Sequence, residues 1–227
     1  DQETMMPRGA ADQRAAEMAA IEGVLHARRT DPRVGEWLAV AQAGNDVARA
    51  QLRHIRRSYD RTMKVPAKLA ADLARLTSKA QGIWAGARGD EDVAAFLPTL
   101  QQVVDLKREE AAALADGGDR YDALLDDYEP GASGASLAAM FDALRPRLVD
   151  LRARVLDSGT VGPPLSGDFP VAAQMALSEK LASAFGYDRD HGRIDKAVHP
   201  FSSGSGLDVR ITTRTSPDDP FNCFYST

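Results

Sequence analysis

Along most of the chain, apolar residues recur at intervals of three and four, the spacing of one helix face. Met18, Ile21, Val24 and Leu25 form one such stripe, and Pro7 ahead of them suits a first helical turn. Asp31-Pro32 joins a capping carboxylate to a first-turn proline and predicts a short helix through Trp37 and Val40. Leu52, Ile55, Tyr59 and Met63 predict the next. Pro66 opens another, with Leu69, Leu73, Leu76, Ala80, Ile83 and Trp84 expected inward. Asp90 is expected to cap a helix carrying Val93, Phe96, Leu97, Leu100, Val103 and Val104. DGGD at 116–119 breaks the pattern, and YDALLDDYEPG at 121–131 reads as a short helix stopped by Pro130 and Gly131.

Leu137, Phe141, Leu144, Leu148, Leu151 and Val155 alternate steps of four and three, a heptad-like seam. Pro146 lies inside it, so one helix kinked at Pro146 is expected, packing in a bundle rather than in a long coiled coil. A Gly/Pro loop at 158–170 precedes a helix from about Val171 to Phe185. The period then changes. RIDKAVHPF and GLDVRITTRT alternate in the β manner, with the Gly/Ser segment SSGSG at 202–206 between them as a connection. They predict a hairpin or two neighbouring strands. In SPDDPFNCFYST, Asp219 and Pro220 are a cap and a first helical position. Phe221, Phe224 and Tyr225 then share a helical face and are expected to anchor it in the core. The fold class is therefore mainly α: a multi-helix scaffold with a small β-hairpin or sheet near the C-terminal end.

Composition sharpens this picture. The chain is 44% hydrophobic, 27% charged and only 6% aromatic, which suits packed helices better than a β-sandwich. Its net charge of −5 argues against nucleic acid as the main partner. The single cysteine, Cys223, allows no internal disulfide framework and suits a reducing compartment. No apolar run is long enough for a membrane-spanning helix.

Candidate chemistry is sparse. His26, His54, His191 and His199 have neither a second histidine nor a cysteine at metal-ligand spacing, so no metal site is expected within the chain. His26, His54 and the basic cluster Arg53, Arg56, Arg57 and Arg61 read as solvated helix faces. The acidic run Asp122, Asp126, Asp127 and Glu129 lacks the spacing of a calcium loop. SSGSG lacks the ending of a phosphate loop. Nothing orients Cys223 and His199 as a nucleophile and base. The strand GLDVRITTR is more informative, because alternation puts Asp208, Arg210 and Thr212 on one face. Three polar groups on a face meet water, pair with each other or line a polar cleft. Unpaired burial of a charge would cost several kcal/mol.

HPF at His199, Pro200 and Phe201 is followed, after the six residues 202–207, by D-x-R-x-T at 208–212. This combination resembles two signature motifs of the carboxypeptidase Taq family of metal-dependent carboxypeptidases. DQETMMP at 1–7, YDALLDDYEPG at 121–131 and FGYDRDHGRIDKAVHPFSSG at 185–204 are similar to family sequence too, so the resemblance runs nearly end to end. In that family a segment similar to PFNCFYST leads directly into H-E-x-x-H. That helix supplies two metal-binding histidines and a glutamate that activates bound water, and a later helix supplies a glutamate as third ligand.

The resemblance implies the N-terminal portion of a cytoplasmic metallocarboxypeptidase with a helical zincin-like metallopeptidase fold, ending just before the metal-binding motif. It implies a divalent metal, zinc or cobalt, in the full-length protein and none bound by this chain. The fragment alone is then expected to be inactive. Implied partners are a peptide substrate with a free C-terminus and a second copy in a homodimer, with no nucleic acid or membrane. Residues 1–188 would be a helical scaffold forming one side of the substrate channel, 189–216 the strand segment, and 217–227 the start of the metal-binding helix. His199, Pro200, Phe201, Asp208, Arg210 and Thr212 would line the cleft or support the metal site from behind, either by presenting the strand backbone to an extended peptide or by orienting a ligand. The plainer alternative is that they hold the sheet against the helices. Rival functions are an endopeptidase or dipeptidase of the same superfamily, and a non-catalytic helical binding module.

Overall fold

The computed structural model describes residues 1–163 and 165–227. Pro164, within the loop expected at 158–170, lies outside the described residues. The chain divides into two compact units: a helical unit, Arg8–Gly159, and a sheet unit made of Asp1–Pro7 with Thr160–Thr227.

The helical unit contains α1 (Ala11–Arg29), α2 (Pro32–Val40), α3 (Asp46–Lys64), α4 (Ala67–Gly89), α5 (Val93–Ala115), α6 (Arg120–Leu125) and α7 (Gly134–Asp157). Helix starts follow local chemistry. The Asp31 carboxylate accepts from Arg33 N with Pro32 at the first helical position, and Asn45 accepts from Ala48 N. Ser133 and Ser136 cap each other reciprocally at the start of α7. One expected cap moves. Asp90 closes α4, and Asp92 caps α5 by accepting from Ala95 N at 3.1 Å. The turn between the two helices is made at Glu91, whose φ of 54° no continuing helix can hold.

α4 is the hub of the unit, with α1 and α5 both packed along it. The buried apolar residues of the unit are Ala15 and Ala19 of α1, Leu38 of α2, Leu69, Leu73 and Ala80 of α4, and Ala111 and Leu114 of α5. The inward face of α1 is thus the alanine face. The expected stripe of Met18, Ile21, Val24 and Leu25 is exposed instead. Alanines let two helix axes approach closely, and bulky residues rotated into that contact would push them apart. The seam expected on α7 is likewise uncovered: no residue of α7 is buried, and the helix runs unbroken from Gly134 to Asp157 through Pro146.

Two readings of the polar positions also change. His26 is buried, and its Nε2 donates to the Val65 carbonyl at 2.7 Å, tying α1 to the link between α3 and α4. The basic cluster and the acidic run prove to be partners. Arg57 Nε donates to Asp126 Oδ2 at 2.9 Å, and Arg61 reaches Asp126 at 3.2 Å and Asp127 at 2.8 Å. Arg61 also donates to the Ala123 carbonyl at 3.0 Å, and Arg56 donates to that of Leu38. Arg53, His54 and Arg56 stay exposed, as expected of the cluster. Burial pushes the Asp126 carboxyl up, but the Gly131 N–H and the two guanidiniums outweigh it and hold it below the usual carboxylate range.

The sheet unit contains α8 (Val171–Ala184), β1 (Gly192–Lys196), β2 (Ser202–Ser205), β3 (Asp208–Thr213) and α9 (Phe221–Ser226). The strand order is β1-β3-β2, with β1 parallel to β3 and β2 antiparallel to it. The hairpin therefore joins β2 to β3. The SSGSG segment, expected as a connection, contributes its first four residues as β2. Tyr187 fastens the other side: its hydroxyl donates to Arg193 O and Val209 O at 3.1 and 2.6 Å. A Cβ at Gly192 would collide with the Val209 carbonyl and the Tyr187 hydroxyl, so only glycine lets the ladder close beside that ring.

Candidate functional site

β3 is the central strand, so each of its faces and both of its edges have a defined neighbour. Arg210 pairs with β1 at Arg193, and Thr212 with Asp195. Alternation puts Asp208, Arg210 and Thr212 on one face with Arg193 and Asp195. Two ion pairs form there, each within its own strand. Arg210 donates through Nε and Nη2 to the two Asp208 oxygens, both at 2.8 Å, and Arg193 grips Asp195 in the same way. The Arg210 bonds hold the Asp208 carboxyl below its ordinary value, and Asp208 in turn raises the guanidinium. Both residues are exposed, so the pair contributes little to stability. Its effect is to orient Arg210.

Thr212 behaves differently. It is 4% exposed, and its hydroxyl stands between the two sequence motifs. Phe201 N donates to Thr212 Oγ1 at 2.7 Å, Thr212 Oγ1 donates to Phe201 O at 2.8 Å, and Thr212 N donates to the same oxygen at 2.8 Å. The last residue of HPF and the last of D-x-R-x-T are thus one hydrogen-bonded unit across 11 positions. Pro200 is half-buried at the bend before it, Phe201 is 40% exposed, and His199 is exposed with no hydrogen-bond partner among the described residues. His199 does not meet Asp208 or Arg210 in any bond here. The β3 backbone is paired on both sides, which leaves it no edge for an extended peptide; the free edges belong to β1 and β2.

The opposite face of β3 holds groups that sequence reasoning missed. Thr213 is fully buried, and its hydroxyl lies 2.7 Å from Ser226 Oγ and 3.2 Å from Thr227 Oγ1. Ser178 of α8 lies 2.9 Å from both Cys223 Sγ and Thr227 Oγ1. Gln174, one turn before Ser178, donates to Phe169 O and Ser216 O at 2.6 and 2.7 Å and clamps both flanking loops. This hydroxyl and thiol network fixes α9 against β3 and α8. The helix starts one residue later than expected, with Pro220 at the N-cap and Phe221 first, and Asp219 accepts from Phe221 N at 2.9 Å just ahead of it. The buried residue of α9 is Cys223, at 2% exposed, whereas Phe221, Phe224 and Tyr225 remain exposed, with the Tyr225 ring stacked on Phe221 and edge-on to Phe224. Their expected place in the core is corrected accordingly. The one available signal was the spacing of Ser178 and Gln174, four apart on a helix, since a polar i, i+4 pair reads equally well as a solvent face.

Among the described residues no group of three or more His, Cys, Asp or Glu side chains could hold a metal ion, and no helix is long and apolar enough to cross a membrane. The donor set for a metal is therefore not met by the described residues.

Residues 1–227 match the family model described as carboxypeptidase Taq (M32) metallopeptidase. The chain is 40% identical, over 236 aligned residues, to thermostable carboxypeptidase 1 of Thermus thermophilus, covering 96% of this chain and 46% of that protein. Among solved structures it is similar to the one described as "BsuCP Crystal Structure", with a TM-score of 0.87 at 26% identity over 100% of this chain and 47% of that one. It is also similar to Trypanosoma cruzi metallocarboxypeptidase 1, with a TM-score of 0.76 at 32% identity over 100% and 47% of the two chains. The chain spans about half the length of the relatives it matches.

Proposed function

Because the chain belongs to the carboxypeptidase Taq (M32) metallopeptidase family, we propose that it is the front portion of a metal-dependent carboxypeptidase that releases C-terminal residues from peptides. The observation that carries this reading is the family match across residues 1–227, together with a geometry in which Thr212 joins the HPF and D-x-R-x-T motifs directly. On this reading the metal, zinc or cobalt, is held by residues outside this chain, and the 227-residue chain alone is inactive. The full protein works in the cytoplasm as a homodimer.

Within this reading, residues 1–188 are the helical scaffold, 189–216 the strand segment that lines the substrate cleft, and 217–227 the lead into the metal-binding helix. Asp208 holds the Arg210 fork in a fixed direction on the wall. Thr212 holds Phe201 and so sets where His199 and Pro200 leave the strand. The buried network around Thr213 sets the direction of α9. All three are positioning roles, supported by the hydrogen bonds of Asp208, Thr212 and Thr213.

The test uses the full-length protein, with and without a chelator, on an N-blocked dipeptide with a free C-terminus and on its C-terminal amide. Chelator-sensitive release of the last residue from the free acid alone is expected. Equal cleavage of the amide would replace this reading with an endopeptidase. Requirement for a free N-terminus would replace it with a dipeptidase, and no cleavage with a binding module.

A further inference from the structure

A continuous apolar face of the helical unit stays uncovered on α7. Phe141, Leu144, Leu148, Leu151 and Val155 are between 43% and 59% exposed, and a groove lined by Phe141, Leu144, Arg145, Leu148, Val149 and Arg152 runs along them. Such a continuous patch marks a surface that another element covers. The seam has heptad spacing, so its borders can be named. With Leu144 at a d position, the e positions are Ala138, Arg145 and Arg152, and the g positions are Met140, Arg147 and Arg154. Every charged residue bordering the seam is an arginine. The aspartates Asp142, Asp150 and Asp157 fall at b and c, on the outer side, and Pro146 falls at f. None of the four arginines makes an ion pair among the described residues.

This border selects the occupant. Two copies of α7 would set arginine against arginine, e against g if parallel, and e against e and g against g if antiparallel. A helix with glutamate or aspartate at its own borders meets four cations instead. We propose that α7 is the docking surface for an acid-bordered amphipathic helix in the second half of the full-length protein. This rests on the reading that the chain is the front portion of a longer enzyme, whose relatives carry about as much chain again outside the matched stretch.

The probe is a synthetic helix as long as α7, with leucine along its seam and glutamate at e and g, and a twin with lysine there. Binding is read by fluorescence anisotropy on the 227-residue chain and on the full-length protein. The 227-residue chain is expected to bind the glutamate helix at least about tenfold tighter than its twin. Changing Arg145, Arg147, Arg152 and Arg154 to glutamate inverts that order, with circular dichroism confirming the fold. The full-length protein, its groove filled, binds neither. Equal binding of both helices by the 227-residue chain overturns the charge argument. Binding of the glutamate helix by the full-length protein as tightly as by the 227-residue chain overturns the intramolecular occupant. Loss of the seam in Leu144→Asp with Leu148→Asp must abolish binding, or the site is elsewhere. Peptide hydrolysis is scored separately, so a failure of the functional reading shows in the enzyme assay and not in this one.

Discussion

Replacing Thr212 by valine removes one hydroxyl and leaves almost everything else in place. Valine keeps the β-branch and nearly the same volume, so strand propensity and packing at this 4% exposed position are retained. What is lost is the bond accepted from Phe201 N at 2.7 Å and the bond donated to Phe201 O at 2.8 Å. Phe201 O keeps the Thr212 backbone N–H, whereas Phe201 N keeps nothing. Two hydrogen bonds at about 1 kcal/mol each give a cost of about 2 kcal/mol, with water at the half-open Phe201 limiting any added penalty. The loss is local, because both tryptophans, Trp37 and Trp84, lie in the other unit. Tryptophan-monitored unfolding should therefore not move. Amide hydrogen exchange should: the β2 amides and Phe201 are expected to exchange roughly 30-fold faster in Thr212→Val, the factor that about 2 kcal/mol corresponds to. Thr212→Ser, which keeps the hydroxyl, should retain their protection. If β2 in Thr212→Val exchanges within threefold of wild type, the hydroxyl does not join the two motifs and the reasoning fails.

Other consequences can be checked in parallel. Asp126→Asn should cost the helical unit about 1–2 kcal/mol in tryptophan-monitored denaturation, since Arg57 and Arg61 lose their shared carboxylate. The folded Asp126 carboxyl lies below its unfolded value, so its stabilisation is present above about pH 4 and is lost as pH falls through the folded pKa; Asp126→Asn should lack that portion of the acid transition. Cys223 should be unreactive toward a thiol reagent until the sheet unit opens, and Thr213→Val should speed labelling by releasing α9. In the full-length protein, Arg210→Ala should lower kcat/KM on a short peptide at least about tenfold without shifting the unfolding midpoint, because the exposed Asp208–Arg210 pair adds little stability. Unchanged kcat/KM would remove Arg210 from the cleft wall.

The parts of this protein legible in its sequence are those decided within a turn or two of chain. Asp31 with Pro32, the Gly/Asp break at 116–119 and Asp219 before α9 act on backbone groups two to four residues away, so their effect was readable in place. The periodic helices and the change of period near residue 192 were readable for the same reason. The two motifs of the candidate site were readable as a family resemblance, and the alternation of β3 placed Asp208, Arg210 and Thr212 together.

Tertiary structure alone decided which faces were used. α1 turned its alanines, not its larger apolar residues, toward α4, because helix approach distance rewards small side chains there. Arg57 and Arg61 found Asp126 at separations of 69 and 65 residues, and Ser178 found Cys223 at 45. No local pattern marks such partners. A polar residue four apart from another on a helix looks the same whether it faces water or a buried hydroxyl, and only the packing of a distant element makes the difference. The sequence determined the elements and named the motifs. The fold chose Thr212 to join those motifs and Thr213, on the opposite face of the same strand, to hold the helix that follows.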